Sequence, residues 1–219
     1  MATVLVIGGN RGIGLALCKQ LRDRGDDVIA TCREDIGALA TLGVQVIKRI
    51  DVSQPQSVET IRQALANKTI DLLIHGSGIL TNESFEDLDF DRIRAQFEVN
   101  TLGPLRMVHG LTHHLKEGAK VGIISSRVGS LDDNGSGGMF GYRMSKSAVN
   151  MVGVNLSHEL KPKGVALALL HPGLVATEMT GGQGISPAKS AQGLIQRMDQ
   201  LNLGNTGKFW HAEGYELPW

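Results

Sequence analysis

The sequence predicts a single α/β domain in which a doubly wound, central parallel sheet carries helices on both faces. Short apolar runs alternate with amphipathic stretches along all 219 residues. The apolar runs are rich in Val, Ile and Leu at successive positions, as strands covered on both faces require. Alternation of this kind gives parallel strands joined by right-handed crossovers. Because no repeat or linker interrupts it, residues 1–219 are expected to form one domain.

Each apolar run is short enough to be a strand. The predicted strands are Thr3–Ile7, Val28–Thr31, Val44–Ile50, Asp71–His75, Lys120–Ser125 and Val165–His171. Helical periodicity separates them, and the predicted helices are Gly12–Arg24, Pro55–Asn67, Phe90–Leu115, Tyr142–Leu160 and Pro187–Leu201. Ser53 followed by Pro55 is typical of an N-cap with proline in the first helical turn.

Composition excludes several functional classes. Basic and acidic residues balance at 22 each and aromatic residues make up only 4%. A nucleic-acid or anionic-membrane surface needs a basic excess, and base stacking needs aromatic side chains. The first apolar run is too short for a signal peptide or a membrane span. We therefore expect a cytoplasmic protein that binds neither nucleic acid nor membrane, with Cys18 and Cys32 as reduced thiols.

No metal site is expected. His109, His113 and His114 lie close together on one predicted helix. No carboxylate-rich segment accompanies them, so a solvated helix face is the better interpretation.

A glycine-rich turn follows the first strand. Gly8 permits a tight turn, Gly12 lets backbone approach a pyrophosphate at the helix N-terminus, and Gly14 lets the helix pack on the sheet. An ordinary strand-to-helix turn is the alternative for such a motif alone. Its place after the first strand of an alternating chain favours a dinucleotide site. The whole turn reads Gly8, Gly9, Asn10, Arg11, Gly12, Ile13 and Gly14.

The end of the second strand indicates which dinucleotide binds. An NAD site usually has an acidic residue there for the ribose hydroxyls, whereas this chain continues Thr31-Cys32-Arg33. Arg33 and Arg11 together would hold a 2′-phosphate, although each is alternatively a solvated surface arginine. NADP(H) is therefore predicted in preference to NAD(H). Asp51, which closes the third strand, either meets the adenine ring or caps the next helix.

Tyr142 and Lys146 lie four residues apart where a helix begins, so their side chains project from one face. A neighbouring ammonium favours the phenolate and is expected to lower the pKa of Tyr142 from its usual value of about 10. Lowering it to about 7 takes roughly 4 kcal/mol. Lys146 supplies part of that, and an oxidised nicotinamide ring would have to supply the remainder.

Further polar residues accompany this pair in a definite order. Asn100 lies in the long helix, Ser125 and Ser126 end the fifth strand, and the sixth strand is followed by Pro172, Gly173, Val175 and Thr177. With the glycine turn and Asp51-Val52, this order resembles the short-chain dehydrogenase/reductase family nearly end to end. The stretches 125–130, 137–146 and 207–219 are similar to its small carbonyl reductase and C-factor-like branch. The resemblance implies a Rossmann-type fold.

The resemblance also implies roles for the residues. Tyr142 would be the general acid, Lys146 would lower its pKa and hold the nicotinamide ribose, and Ser126 would polarise the carbonyl. Ser125 remains an alternative because the spacing to Tyr142 is longer than usual. Asn100 would kink its helix and hold a water that links Lys146 to solvent. Thr177 and the backbone after Pro172 would fix the carboxamide.

Two departures from the family pattern stand out. His75-Gly76-Ser77-Gly78 replaces the common Asn-Asn-Ala-Gly near the adenosine ribose. Gly76, Ser77 and Gly78 still allow close backbone approach, but cofactor affinity is expected to differ. The segment after Thr177 is short and glycine-rich, which predicts an open pocket for a bulky or loosely selected substrate.

Function follows from this set of residues. We predict an NADPH-dependent oxidoreductase that reduces an aldehyde, ketone or quinone to an alcohol, so its partner is a small carbonyl or alcohol substrate. A dinucleotide-binding regulatory or cell-signalling protein is one alternative, and an NAD-dependent dehydrogenase another. The resemblance implies a homodimer or homotetramer built through the long helices. An apolar stripe on helix Tyr142–Leu160 would face the partner or its own sheet: Ala148, Val149, Val152 and Leu156.

Overall fold

A computed structural model describes residues 1–219, whose seven strands form one fully parallel sheet in the order β3-β2-β1-β4-β5-β6-β7. The predicted fold class is confirmed. The strands are β1 Thr3–Ile7, β2 Asp27–Thr31, β3 Gln45–Ile47, β4 Ile70–His75, β5 Leu115–Ile124, β6 Ala166–His171 and β7 Phe209–His211.

Helices cover both faces of the sheet. They are α1 Gly12–Asp23, α2 Gln56–Leu65, α3 Phe90–Phe97, α4 Gly103–Leu111, α5 Phe140–Leu160 and α6 Pro187–Gln200. Side chains alternate along each strand, so Leu5 and Ile7 pack with α2, α4 and α5, whereas Val4 and Val6 pack with α1 and α6. None of these helices is sufficiently long and apolar to cross a membrane.

The predicted helix Phe90–Leu115 is wrong as one continuous element. The chain passes from α3 into a π-helical turn, Glu98–Leu102, and only then into α4. Pro104 has no N–H to donate to the Asn100 carbonyl four residues earlier, and its ring crowds that carbonyl, so the helix widens here. After α4 a 3₁₀ turn covers Thr112–His114, and Leu115 already belongs to β5.

Three strands differ from the sequence prediction, and one of them is β5, which begins at Leu115 rather than at the predicted Lys120. β7 was missed because three residues give no periodicity to detect. β3 is shorter than the predicted Val44–Ile50 because Arg49 adopts a φ of +62°, which regular strand geometry does not allow.

The stripe on α5 faces its own sheet. Val149 and Leu156 are buried in the core shared with α2 and α4. The large apolar side chains that α5 leaves exposed are instead Met144 and Met151.

The order of the strands reverses between β1 and β4. In open α/β sheets ligands bind at the carboxyl ends of the strands beside this reversal. The glycine turn after β1 and the segment Gly76–Gly78 after β4 both lie there. The two are in close contact, because a Cβ at Gly8 would lie 2.6 Å from Ser77 Oγ.

Candidate active site

Three elements bring the predicted catalytic side chains together at the carboxyl edge of the sheet. Ser126 follows β5, Tyr142 and Lys146 lie in the first turns of α5, and Asn100 lies in the π-helical turn. The Ser126 hydroxyl lies beside the Tyr142 phenol and acts to lower its pKa. The Ser125 hydroxyl instead donates to Asn150 Oδ1 at 2.6 Å inside the protein. Of the two serines, Ser126 therefore faces the phenol.

Lys146 is buried behind the phenol. Its Nζ lies 5.6 Å from the centroid of the Tyr142 ring and donates to the Ile124 carbonyl at 3.0 Å. A Cβ at Gly78 would lie 3.8 Å from this Nζ and 3.3 Å from Asn100 Oδ1. Glycine at position 78 thus keeps side-chain atoms out of the space between the ammonium and Asn100.

The pKa values of this pair differ from the sequence expectation. Burial raises the pKa of Tyr142 to about 12, and the Ser126 hydroxyl offsets only part of that rise. Burial lowers the pKa of Lys146 to about 8. The predicted lowering of the Tyr142 pKa is therefore wrong for the protein alone. The ammonium lies against the ring rather than at the hydroxyl, and loss of solvation outweighs its attraction.

Asn100 is fully engaged with the chain beyond β4. Its Oδ1 accepts from the Ile79 amide at 2.8 Å, and its Nδ2 donates to the Ile79 carbonyl at 2.9 Å and to Ser145 Oγ at 3.1 Å. One side chain thus joins the π-helical turn, the segment that follows Gly78, and α5 one residue before Lys146.

The glycine turn forms a cradle at the start of α1. Gly8 has a φ of +84° and Gly12 a φ of +52°, both in the region that favours glycine. A Cβ at Gly14 would lie 2.0 Å from the Gly8 carbonyl oxygen, and one at Gly12 would lie 3.2 Å from the Thr177 methyl group. The backbone is therefore bare where α1 begins, the kind of site at which a pyrophosphate binds. Ile13 packs against the core on the α1 side of the sheet.

The two arginines predicted to share a phosphate differ in their surroundings. Arg11 forms an ion pair with Glu178, across the groove from α1. Arg33 is exposed at the end of β2 and has neither a hydrogen-bond nor an ion-pair partner on its side chain. Lys48 and Arg49 follow β3 directly beside it, since the Arg49 amide donates to the Arg33 carbonyl. Sequence reasoning missed these two cations, which appear only once β2 and β3 are paired.

Other predicted cofactor residues flank the cradle. Asn10 Nδ2 donates to the Asp35 carbonyl at 3.0 Å. Asp51 Oδ1 accepts from the Ser53 amide at 2.9 Å and the Ser53 hydroxyl at 2.7 Å. These bonds close a turn before α2, which begins at Gln56 without a side-chain cap, so the predicted capping by Ser53 or Asp51 is wrong. Burial alone would raise the Asp51 pKa, but these hydrogen bonds hold it below its usual value. The Val52 side chain is buried in the core.

The segment after β6 is short and well fixed. The Pro172 carbonyl accepts from Ser190 Oγ at 2.8 Å, and Gly173 has a φ of +85°. Val175 forms a β-bridge with Ile185. Thr180 Oγ1 accepts from the Thr177 amide at 3.1 Å. These bonds hold Thr177 beside Gly12 without any long helical lid.

A second group of side chains at the same edge had no sequence signal. His171 ends β6, His211 ends β7, and their rings are 4.9 Å apart edge-to-face, while Tyr215 stacks on His211 at 4.5 Å. Burial lowers the pKa of His171 to about 3, and the neighbouring charges of Arg127 and Lys146 contribute to the shift. Only the pairing of β6 with β7 brings these residues together.

Comparison with known proteins places this site in context. A family model described as short chain dehydrogenase matches residues 2–186. The chain is 46% identical, over the full length of both proteins, to 1-hydroxy-2-glutathionyl-2-methyl-3-butene dehydrogenase of Rhodococcus sp. (strain AD45). It is 38% identical to the C-signal protein of Myxococcus xanthus over 68% of this chain and 93% of that protein.

Solved structures share the fold over the whole chain. A carbonyl reductase from Pseudomonas aeruginosa PAO1 in complex with NADP has 30% identity and a TM-score of 0.88, with 100% of both chains covered. The NADPH-bound carbonyl reductase from chicken fatty liver has 26% identity and a TM-score of 0.92, covering 100% of this chain and 99% of that one. The cofactors in these structures agree with the NADP(H) predicted from Arg33 and Arg11.

Proposed function

Because the chain belongs to the short-chain dehydrogenase/reductase family, and is thus an oxidoreductase, we propose that it reduces a carbonyl compound to an alcohol with NADPH. The Lys146 ammonium over the Tyr142 ring, 5.6 Å from its centroid, with Ser126 beside the phenol, is the observation that carries this proposal. A phenol whose pKa is about 12 keeps its proton at neutral pH. A protonated phenol can donate to the carbonyl oxygen, as the reduction requires.

Each residue of the site has its own role in the proposed reaction. The Tyr142 hydroxyl donates its proton to the carbonyl oxygen as negative charge develops there. Ser126 donates a second hydrogen bond to that oxygen and stabilises the charge. Lys146 supplies a buried positive charge that stabilises the phenolate left behind, and Asn100 fixes the segment that carries Gly78 next to Lys146.

The cofactor residues fit NADPH, which supplies the hydride when bound. The bare backbone at Gly8 and Gly12 would hold the pyrophosphate, and Gly14 lets the start of α1 pack against the Gly8 carbonyl. Arg33, unpaired at the end of β2, would hold the 2′-phosphate with Lys48 and Arg49. Pro172, Gly173, Val175 and Thr177 would border the nicotinamide, and Gly76 and Ser77 the adenosine ribose.

Replacing the phenol tests the reaction. Tyr142→Phe should lower kcat/KM for aldehydes, ketones and quinones by about 10²- to 10⁴-fold, the usual contribution of a general acid. The dissociation constant for NADPH, measured by its fluorescence, should stay within a few-fold, which shows that the fold is intact. Equal turnover by wild type and Tyr142→Phe would contradict the proposed function.

Removing the unpaired arginine tests the cofactor. Arg33→Ala should weaken NADP binding by about 10- to 100-fold, because a hydrogen bond to a charged group contributes about 1.5–3 kcal/mol. Binding of NAD, which lacks the 2′-phosphate, should change little. Arg94→Ala, on the exposed face of α3, is the matched control and should alter neither titration. An unchanged NADP-to-NAD ratio in Arg33→Ala would contradict the role of Arg33.

A second candidate is oxidation of an alcohol that bears a glutathionyl thioether. The 46% identical relative carries that substrate in its name and matches the whole chain. This reaction requires Tyr142 to act as a base, so its rate should rise steeply with pH, whereas carbonyl reduction should not. Measuring both directions from pH 6 to pH 10 separates the two candidates.

A signalling role without turnover is supported by the C-signal relative alone. Dinucleotide binding by itself requires neither Tyr142 nor Ser126. The arrangement of these side chains therefore favours an enzyme, and NADPH binding without turnover on any carbonyl compound would favour the signalling alternative.

We also propose that two copies associate through α4 and α5. Leu102, Leu105, Met144 and Met151 are exposed on or beside these helices. Such apolar side chains gain by burial against a partner. Sedimentation of the wild type and of Met151→Glu should show a larger species only for the wild type.

A further inference from the structure

Arg127 lies immediately beyond the proposed reaction centre. It follows Ser126 directly and begins a 3₁₀ turn, Arg127–Gly129, at the carboxyl end of β5. Its side chain is 53% exposed, so the guanidinium is accessible at the edge where the substrate must enter.

The guanidinium is only partly used by the protein. Its Nε donates to Asp133 Oδ2, the one ion pair that Arg127 makes. The two terminal nitrogens donate to no protein atom, although arginine presents a planar fork that matches a carboxylate. By comparison, Arg143 on α5 uses all three of its nitrogens on Gly137, Val128 and Ser136. Arg143 is therefore a structural residue, and Arg127 keeps free donors.

The surroundings of Arg127 are suited to a ligand. The positive charge of Arg127 acts on His171 and His211, since after burial it contributes to the lowering of both histidine pKa values. Burial is the larger cause of the histidine shifts, and both rings stay neutral. His171 Nδ1 is buried without a hydrogen-bond partner in the protein. A buried polar atom without a partner is costly, so this edge of the sheet carries an unmet hydrogen-bonding group.

Apolar side chains accompany these polar groups. Leu174, Met179 and Tyr215 are large and exposed, and they follow the carboxyl ends of β6 and β7. A substrate bound at this edge would therefore contact apolar side chains along most of its length and the Arg127 guanidinium at one end.

We propose that Arg127 binds a carboxylate of the substrate, so that the natural substrate is a carbonyl compound with an apolar body and a carboxylate separate from the reacting carbon. This inference rests on the proposed function. Asp133 accepts from Arg127 Nε and keeps the guanidinium in place. The two terminal nitrogens would form paired hydrogen bonds to the substrate carboxylate.

The test compares matched acids and amides. Aryl ketones with a chain of two to four methylenes ending in a carboxylate are each paired with their own carboxamide, and the KM ratio of amide to acid is measured with NADPH. The wild-type ratio should exceed one for at least one chain length. Arg127→Gln should lower that ratio about 10-fold or more, because a hydrogen bond to a charged group is lost. Arg127→Lys should retain part of the preference.

Two further variants complete the design. Arg94→Gln, an equally exposed arginine on α3, should leave the ratio unchanged. Asp133→Asn removes the ion pair that keeps the guanidinium in place and should lower the ratio, though less than Arg127→Gln does. A ratio that is the same in wild type and Arg127→Gln at every chain length would overturn the inference.

A binding measurement separates this inference from the proposed function. The same acids and amides are titrated calorimetrically into enzyme saturated with NADP⁺, which cannot reduce them. If no ketone is turned over, the proposed function fails, yet tighter binding of the acids that depends on Arg127 still supports the carboxylate site. If the ketones are reduced but acids and amides bind alike, the carboxylate site fails and the proposed function stands.

Discussion

The Lys146 ammonium is the most strongly perturbed positive charge near the reaction centre. Burial lowers its pKa from 10.5 to about 8, so the charged form is destabilised in the fold. Its hydrogen bond to the Ile124 carbonyl satisfies one of three donors. The chain keeps a charge where hydrocarbon would be more stable, which is typical of a residue selected for chemistry rather than for packing.

Lys146→Met should therefore stabilise the fold while abolishing turnover. Between pH 8 and 10.5 the native state binds fewer protons than the unfolded state, so wild-type stability rises with pH through this window. Below pH 8 the full cost is present, and we expect Lys146→Met to be more stable there by up to about 3 kcal/mol. Urea unfolding at pH 6, 7 and 11 measures this, with the exposed Lys163→Met as control. A loss of stability at pH 7 would contradict the prediction.

At the scale of elements, the π-helical turn sets the geometry of the site. Glu98–Leu102 widens the helix, and Asn100 extends from it to the Ile79 backbone and to Ser145 on α5. A regular helix would carry the residues beyond it on a different face. The turn thus determines where α3 and α4 meet the sheet edge.

Asn100→Ala should loosen the segment after β4. It leaves the Ile79 N–H and C=O without partners, which costs about 1–3 kcal/mol for buried groups. Amide hydrogen exchange should show lost protection at Ile79. We also expect kcat to fall, because Asn100 holds the segment that carries Gly78 next to Lys146. Asn67→Ala, beyond the end of α2, is the control. Unchanged protection at Ile79 would show that Asn100 does not hold this segment.

The sequence predicts some elements well and others not at all, for physical reasons. Val4 and Leu5 identify β1 because both faces of that strand are buried. β7 has three residues, and only its pairing with β6 makes it a strand. The break in the long helix did have a signal, the Gly103-Pro104 pair, which the helical periodicity of the flanking apolar residues concealed.

The residues of the candidate site also differ in how well the sequence predicts them. Tyr142 and Lys146 are adjacent because of helical spacing alone, so four residues of sequence suffice to predict the pair. The cluster of His171, His211 and Tyr215 forms because the ends of β6 and β7 are neighbours in the sheet. His171 and His211 are 40 positions apart in the sequence, so no local pattern predicts the cluster. The direction of the Tyr142 pKa shift depends on burial, which sequence does not give.

At the scale of the whole molecule, the strand order places a buried histidine at the carboxyl edge of the sheet. His75 ends β4 between β1 and β5, at the reversal of strand order. Burial, with the nearby Lys146 charge, lowers its pKa from 6.5 to about 3. Between these values the unfolded state binds one more proton, so this residue makes stability fall as pH drops below 6.5.

His75→Asn introduces the residue that is common at this position in the family. It should make the free energy of unfolding less dependent on pH between pH 4 and 6. Removing one such group should reduce the slope between pH 4 and 6 by about 1.4 kcal/mol per pH unit. The slope is the quantity to compare, because packing changes shift stability at all pH values alike. The exposed His113→Asn should leave the slope as in wild type, and an unaltered slope in His75→Asn would contradict the assignment.

The ion pair between Arg11 and Glu178 spans the groove between the glycine turn and the chain beyond β6. A dinucleotide lying along that groove would pass beneath this contact, so its entry and departure require the two side chains to separate. Both are largely exposed to solvent, which makes their attraction weak and sensitive to dissolved ions. We therefore expect a bound coenzyme to dissociate faster as the salt concentration rises, because screening weakens this surface contact.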